Sequence, residues 1–159
     1  MKKLLRLLKS NAHTPVEDLA KELNMTEAEV RRSIAEYEHD GTILGYQAIV
    51  NSDKTTTDMV TAVIEVKITP ERGGGFDRFA ARIAKFEEVD SCYLMSGGYD
   101  LLVIVAGANL HEIARFVAEK LSTMKGVIST ASHFRLKTYK ENSRLLHCEP
   151  RPRHLAVTP

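Results

Sequence analysis

The sequence predicts an α+β protein built from two units, a small helical unit and a mixed unit of strands and helices. Apolar residues recur at helical spacing up to about Leu44, whereas β-branched runs alternate with helical stripes from about Met59 onward. A polar stretch without glycine or proline separates the two patterns. The predicted organisation is a helical domain over 1–50, a linker over 51–58, a mixed domain over 59–140 and a C-terminal tail over 141–159.

The N-terminal pattern contains the signatures of three helices. A leucine stripe predicts a first helix that ends near Ser10. A second helix is predicted between Thr14, as the capping residue before Pro15, and Asn24, as the stop. Its apolar face comprises Val16, Leu19, Ala20 and Leu23.

The third helix is predicted to begin immediately afterwards. Thr26 and Glu29 have the spacing of a capping box, and Gly41 is suited to end the helix. The apolar face comprises Val30, Ile34 and Tyr37. Two capped helices separated by about three residues have the spacing of a helix-turn-helix, so this unit is predicted to be winged-helix-like.

The second unit begins with a β-branched run, Met59–Ile68, whose alternate residues predict one buried face. Pro70 and Gly73–Gly75 then break the chain. The glycine run lacks the Lys and Ser/Thr of a phosphate-binding loop and is predicted to be a flexible loop. A helix follows, with the stripe Phe76, Phe79, Ala80, Ile83 and Ala84.

The remaining elements complete a β-α-β-β-α-β order. Strands are predicted over Ser91–Ser96 and Leu101–Ala106, joined by a tight turn at Gly97–Asp100. Asn109 starts another helix, and Val127–Tyr139 is the last strand. The stripe of that helix is Leu110, Ile113, Ala114, Val117 and Leu121. This order fits a ferredoxin-like sheet covered by two helices on one face.

One strand bears on assembly. Leu101–Val105 is apolar at every position, which predicts burial on both faces of the sheet. Two helices can cover only one face, so we expect the same sheet of a second subunit to cover the other. A loop or the N-terminal unit is the alternative cover.

Composition and charge exclude several classes of protein. Of the 159 residues 43% are hydrophobic, which is too many for a disordered chain, and the apolar runs are too short to span a bilayer. Two cysteines outside any CxxC pair argue against a disulfide framework or a zinc ribbon. We expect a cytoplasmic protein with reduced thiols, no membrane association, no metal and no cofactor.

The net charge argues against binding of nucleic acid by bulk electrostatics. The chain carries 22 Lys and Arg against 21 Asp and Glu, a net charge of +1. Residues 1–45 contain seven basic and eight acidic residues, a net charge of −1. A local basic surface remains compatible with this balance.

The order and spacing of these elements resemble the Lrp/AsnC family of transcriptional regulators. The resemblance extends from about Leu4 to Tyr139 and includes Gly41–Tyr46 and Ser96–Asp100. It implies double-stranded DNA binding by the third helix and homodimers that associate into octamers. It also implies a small effector, often an amino acid, held between subunits.

The resemblance directs DNA binding to the exposed N-terminal half of the third helix. The candidate residues are Thr26, Arg31, Arg32 and Ser33. Arginine side chains can bind guanine edges or phosphates. The alternative is a solvated helix face on which the two arginines pair with Glu27, Glu29 or Glu36.

The resemblance also implies an effector site at the central hairpin and, from a neighbouring subunit, the last strand. The candidates are Gly97, Gly98, Tyr99, Asp100, Thr130, Ser132, His133 and Phe134. Glycine lets backbone amides approach a ligand carboxylate, and Asp100 can meet an ammonium group. The alternatives are a turn formed for conformational reasons and, for His133, an ordinary interface histidine.

Two other functions stay open. The chain also resembles sirohaem decarboxylases in its two-unit order, and His133 with Arg135 is the obvious pair for tetrapyrrole carboxylates. The net charge of −1 on residues 1–45 favours an effector-binding oligomer whose DNA-binding unit has decayed.

No catalytic arrangement stands out, so we expect the protein not to be an enzyme. The tail contains His147, Cys148 and His154 close to Pro150 and Pro152. We expect these side chains to lie in a poorly ordered tail and not to bind a metal.

Overall fold

In a computed structural model of the chain, which describes residues 2–51, 54–55, 59–70 and 75–146, the backbone divides into two units between Ile49 and Val50. Most of the predicted linker and glycine loop, and the tail side chains His147, Cys148 and His154, lie outside the described residues. No helix among the described residues is both long and apolar enough to cross a membrane.

The first unit is formed by α1 (Lys2–Ser10), α2 (Val16–Leu23) and α3 (Glu27–His39), as predicted. The three helices share one small core because each has apolar residues at helical spacing. Its buried members are Leu4, Leu8, Leu19, Ala20, Val30 and Tyr37. The segment 42–51 follows without helix or strand.

The ends of these helices follow the predicted chemistry with one exception. Asn24 ends α2 in the left-handed conformation, with φ of 53°, and Gly41 after α3 has φ of +75°. The prediction that Thr14 caps α2 is wrong, because no side chain caps this helix. The Thr14 hydroxyl instead donates to the Asn11 carbonyl at 2.8 Å, which stabilises the turn between α1 and α2.

The second unit is a four-stranded sheet with helices. Its elements are β1 (Val60–Ile68), α4 (Asp77–Ile83), β2 (Val89–Leu94), β3 (Leu101–Gly107), α5 (Leu110–Arg115) and β4 (Val127–Phe134). The strand order is β2-β3-β1-β4 and every neighbouring pair is antiparallel. This confirms the ferredoxin-like prediction.

The core of this unit lies between one face of the sheet and the helices. Alternate residues of the two central strands are buried, as the period-two pattern predicts. The buried strand residues are Ala62, Ile64, Val66, Ile68, Leu101, Val103 and Val105. The residues that pack against them are Phe79, Ile83, Ile113, Phe116, Leu121 and Met124.

The second helix of this unit departs from its predicted stripe. α5 continues as a π-helical turn over Phe116–Leu121, in which the Ser122 N–H donates to the Val117 carbonyl at 2.8 Å. Hydrogen bonds between residues five apart bring Phe116 and Leu121 onto the same buried face. Leu110, predicted to lie in the stripe, is 51% exposed at the start of the helix.

The last strand is shorter than predicted. β4 ends at Phe134, opposite Ala62, and one further backbone hydrogen bond follows, from the Arg135 N–H to the Thr61 carbonyl at 2.9 Å. The chain then forms a small hairpin of β5 (Lys140–Glu141) and β6 (Arg144–Leu145). Residues 141–146, predicted as the start of the tail, therefore belong to this hairpin.

Candidate DNA-binding and effector sites

The N-terminal half of α3 presents two consecutive arginines to solvent. Val30 and Tyr37, both buried, fix the rotation of the helix on the core of the first unit. The Arg31 and Arg32 side chains are 62% and 73% exposed. Ser33 lies beside them and is half-buried.

Each arginine forms an ion pair on its own helix, as the alternative interpretation expects. Arg31 Nη2 lies 3.6 Å from Glu27 Oε2, and Arg32 Nε lies 3.8 Å from Glu36 Oε1. Exposed pairs of this kind contribute only about 0.3–0.5 kcal/mol, because water screens them. A phosphate or a guanine edge can therefore displace either glutamate at small cost.

Thr26 forms the start of α3. Its hydroxyl accepts the Glu29 backbone N–H at 3.3 Å, and Glu29 Oε2 accepts the Thr26 backbone N–H at 2.8 Å. This is the predicted capping box. The backbone and then the hydroxyl hydrogen bonds from Thr26 lower the pKa of Glu29. The Thr26 side chain is thus engaged by its own helix.

Residues just beyond α3, within or next to the segment Gly41–Tyr46 that the resemblance includes, fix the following segment to the helix. The Tyr46 hydroxyl donates to Glu38 Oε1 at 2.8 Å, and this hydrogen bond raises the pKa of Tyr46. Asp40 Oδ1 accepts the Thr42 N–H at 2.8 Å. No sequence pattern specifies the tyrosine contact, because the two residues meet only once the helix has ended.

The hairpin between β2 and β3 is tied to the neighbouring strand β1 through Asp100. The Asp100 N–H donates to the Val66 carbonyl at 3.0 Å, and Asp100 Oδ2 accepts the Ile68 N–H at 2.8 Å. Gly97 has φ of +135°, a conformation that favours glycine. Gly98 is exposed with open space around it, and Tyr99 is half-buried.

The β4 candidates divide between the two faces of the sheet. Thr130, Ser132 and Phe134 lie opposite the buried residues of β1, so these three are on the helix-covered face. His133 lies opposite Val63 on the other face, and its Nε2 is 3.4 Å from Glu65 Oε1.

The register of the sheet decides which candidates meet. Leu101, at the end of the hairpin, pairs with Val66, which in turn pairs with Thr130. Thr130 therefore lies at the hairpin end of the sheet, and its hydroxyl is 3.3 Å from that of Ser122. Within one chain, His133 and Phe134 lie toward the other end of β4.

The sheet face opposite the helices has an apolar centre. We call it the outer face, and its members are Thr61, Val63, Glu65, Leu102, Ile104, Ala106, Ser91, Tyr93, Ala131 and His133. Leu102 and Ile104 on β3 are half-buried on this face, whereas Val103, between them in sequence and on the opposite face, is fully buried. The helices of the unit cover only the side on which Val103 lies.

A groove of about 560 Å³ lies at the end of β3 remote from the hairpin. It is bounded by the last residues of β3, by α5 with its π-helical turn, and by the loop before β2. Its lining is Met59, Glu87, Glu88, Val105, Ala106, Gly107, Ala108, Glu112, Ile113, Arg115, Phe116, Glu119 and Lys120. Sequence reasoning did not identify this groove, because its residues come from four separate segments.

No cluster of three or more His, Cys, Asp or Glu side chains suited to a metal ion occurs in the described part of the chain. The Cys92 thiol is half-buried, and burial raises its pKa. This shift disfavours the thiolate form of the free cysteine.

The order of a helix-turn-helix unit and a ferredoxin-like unit occurs in DNA-binding regulators of transcription, and two family models identify that class here. Residues 2–38 match the family model of the AsnC-type helix-turn-helix domain, and residues 61–145 match that of the Lrp/AsnC ligand binding domain. The chain belongs to the Lrp/AsnC family of transcriptional regulators.

Similar proteins extend over almost the whole chain. The uncharacterised HTH-type transcriptional regulator YugG of Bacillus subtilis is 40% identical, over 98% of this chain and 95% of its own length. The proline dehydrogenase transcriptional activator of Rhodobacter capsulatus is 30% identical, over 89% and 92%. The crystal structure of the transcriptional regulator NMB0573/L-Met complex from Neisseria meningitidis superposes with a TM-score of 0.68 at 26% identity, covering 87% and 89% of the two chains.

Proposed function

We propose that this regulator binds operator DNA through α3. We also propose that its assembly changes when a small metabolite, of the amino-acid class, binds its C-terminal unit. The observation that carries the DNA-binding part is the pair of exposed arginines on the N-terminal half of α3. Recognition helices contact base edges with this half. The protein acts in the cytoplasm, where its DNA target lies.

The arginines Arg31 and Arg32 supply the positive charge for DNA contact. The first unit carries few other basic residues, so DNA binding depends on these two side chains more than it would in a strongly basic domain. Ser33 adds a short polar contact beside them. Thr26 acts indirectly, because its hydroxyl holds the start of α3 in place.

The double variant R31A/R32A tests this assignment. We expect its affinity for the protein's own upstream region to fall by at least tenfold, and its salt dependence to decrease, in a fluorescence anisotropy titration. The control K85A/K125A removes the same charge from exposed positions of the second unit and is expected to bind normally. Equal affinity for all three proteins would support the alternative of a decayed DNA-binding unit.

For the effector, the hairpin site is supported by its open backbone. Gly98 leaves room for a ligand carboxylate to approach the loop amides, and one oxygen of Asp100 is left for an ammonium group. The crystallised relative from Neisseria meningitidis is a complex with L-Met, which supports an amino acid as the ligand class. Thr130, Ser132, Phe134 and, from the outer face, His133 belong to the same proposal as residues of a neighbouring subunit.

Light scattering with and without a panel of amino acids tests the effector proposal. We expect one or more amino acids to shift the assembly state of the wild type, and the G98V variant to lose the shift. Gly98 has an ordinary φ and open surroundings, so the substitution is compatible with the fold. If G98V retains the shift in assembly state, the effector binds at a site other than this loop.

The proposed assembly is a homodimer formed by two outer faces, with dimers associating into an octamer. Leu102 and Ile104 remain half-buried in one chain, and a second sheet would remove them from water. His133 and Glu65 would then lie within the interface.

We propose that the protein has no enzymatic activity. The relatives reported above are named as regulators of transcription, which favours regulation over the sirohaem decarboxylase alternative with His133 and Arg135 as its candidate residues. His133 is paired with Glu65, and Arg135 contacts Thr61 Oγ1 at 2.9 Å and Glu141 at 3.5 Å. Incubation with sirohaem is expected to release no CO₂, and release would overturn this part of the proposal.

A further inference from the structure

The groove at the end of β3 has the size and lining of a ligand site. Its volume of about 560 Å³ falls in the range of small-molecule sites, roughly 300–1,000 Å³. Val105, Ile113 and Phe116 give it an apolar floor. Three further lining residues belong to or adjoin the π-helical turn, a feature that is frequent at functional sites.

Part of the charge in the groove is already committed to the fold. Lys120 pairs with Glu88, and its ammonium lies 5.6 Å from the Phe86 ring and 6.0 Å from the Phe116 ring. Glu112 Oε2 accepts the Ala108 N–H at 2.8 Å. Lys120, Glu88 and one oxygen of Glu112 are thus already engaged within the protein.

Three charged side chains remain uncommitted. Among the described residues, the side chains of Glu87, Arg115 and Glu119 form no ion pair or hydrogen bond. They add two carboxylates and one guanidinium to a lining whose apolar part is Val105, Ile113 and Phe116. The complementary ligand has one carboxylate for Arg115, two ammonium groups for the glutamates and an aliphatic chain between them.

We propose that this groove binds a basic aliphatic amino acid, at a site separate from the hairpin. β3 lies between the two positions, since the hairpin precedes its first residue and the groove lies at its last. The inference goes beyond the proposed function, because the hairpin site by itself would complete an effector-sensing regulator.

Three probes with nearly the same carbon chain test the charge requirement. L-lysine has all three charged groups, norleucine lacks the side-chain amine, and cadaverine lacks the carboxylate. Calorimetric titration of the full chain is expected to give the tightest binding for lysine, with each analogue weaker by about threefold to fivefold, as for a partly exposed charge contact. The Ile113 methyl resonance should shift on titration, because Ile113 lines the groove.

Substitutions in the groove test which side chain binds which charged group of lysine. R115Q is expected to abolish the preference for lysine over cadaverine, and E87Q/E119Q the preference for lysine over norleucine. G98V, which alters only the hairpin, is expected to leave lysine binding in the groove unchanged. All of these substitutions are at exposed positions, so unfolding temperatures should stay at the wild-type value.

The outcomes separate the two sites. A missing Ile113 shift, or wild-type preferences in both groove variants, would overturn the groove proposal. Lysine binding that is lost in G98V would assign the ligand to the hairpin and overturn it as well. Neither result alters the DNA titrations, so failure of the groove is distinguishable from failure of the proposed regulator.

Discussion

At the scale of single residues, the ion pairs of α3 bear directly on the proposed contact with DNA. Arg31 and Arg32 each hold a glutamate of the same helix at 3.6–3.8 Å, and the first unit has a net acidic charge over residues 1–45. In the proposed binding mode, DNA displaces Glu27 and Glu36 from the arginines. These glutamates would then oppose binding both by pairing and by repelling phosphates.

Removing the two glutamates should strengthen DNA binding. We expect E27Q/E36Q to bind upstream DNA roughly threefold to fivefold more tightly, since two exposed pairs of about 0.3–0.5 kcal/mol each are released. Fluorescence anisotropy at low and high salt measures this. The charge-matched control E17Q/E22Q on α2 should change affinity less, and an equal gain in both variants would contradict the pairing argument.

Sequence and structure agree at residues whose roles are local. The capping box of Thr26 and Glu29 and the left-handed Asn24 were predictable, because hydrogen bonds within a few residues decide them. The prediction for Thr14 was wrong because Pro15, one residue later, occupies the capping position of α2, and the Thr14 hydroxyl donates to the Asn11 carbonyl. The faces of β4 were also predictable in principle from the two-residue period, yet the implied effector set combined His133 with residues of the opposite face.

At the scale of elements, the π-helical turn determines how the second helix of the C-terminal unit packs. It buries Phe116, which is 3% exposed and meets Phe86 edge-to-face at 5.5 Å. A regular α-helical period starting at Asn109 places Leu110 on the buried face. The sequence gives no signal for a single π-helical turn within the helix. The same turn supplies lining residues to the groove, which explains why the groove was also missed.

This difference in packing predicts unequal costs of substitution. F116A should lower the free energy of unfolding by about 3–5 kcal/mol, because it leaves a cavity in a packed core. L110A should change it by less than about 0.5 kcal/mol, since Leu110 is 51% exposed. Urea denaturation followed by circular dichroism compares the two, and equal losses would be inconsistent with the described turn.

At the scale of the whole molecule, the outer face is the surface on which the proposed dimer depends. Leu101–Val105 was predicted to be buried on both faces, and one chain fully buries only Leu101, Val103 and Val105. Dimerisation would account for the remaining apolar residues of this strand. It would also give the regulator two DNA-binding units, whose joint binding raises apparent affinity without any new contact.

A charge on this face should separate the subunits. We expect I104D to sediment as a monomer at concentrations where the wild type is a dimer, and to bind upstream DNA about 100-fold more weakly. L136D is the control, because Leu136 is 96% exposed and lies beyond the end of β4. Circular dichroism verifies that both variants fold, and a dimeric I104D would assign the interface to another surface.

The sequence by itself determined the two units, the order of helices and strands, and the face of β1 that enters the core. These features follow from periodicity and capping, which act over a few neighbouring residues. The tertiary structure alone decided the π-helical turn, the early end of β4, the Tyr46–Glu38 contact and the groove. Each of these depends on residues far apart in the chain, whose proximity is fixed only when strand register and helix packing are satisfied together.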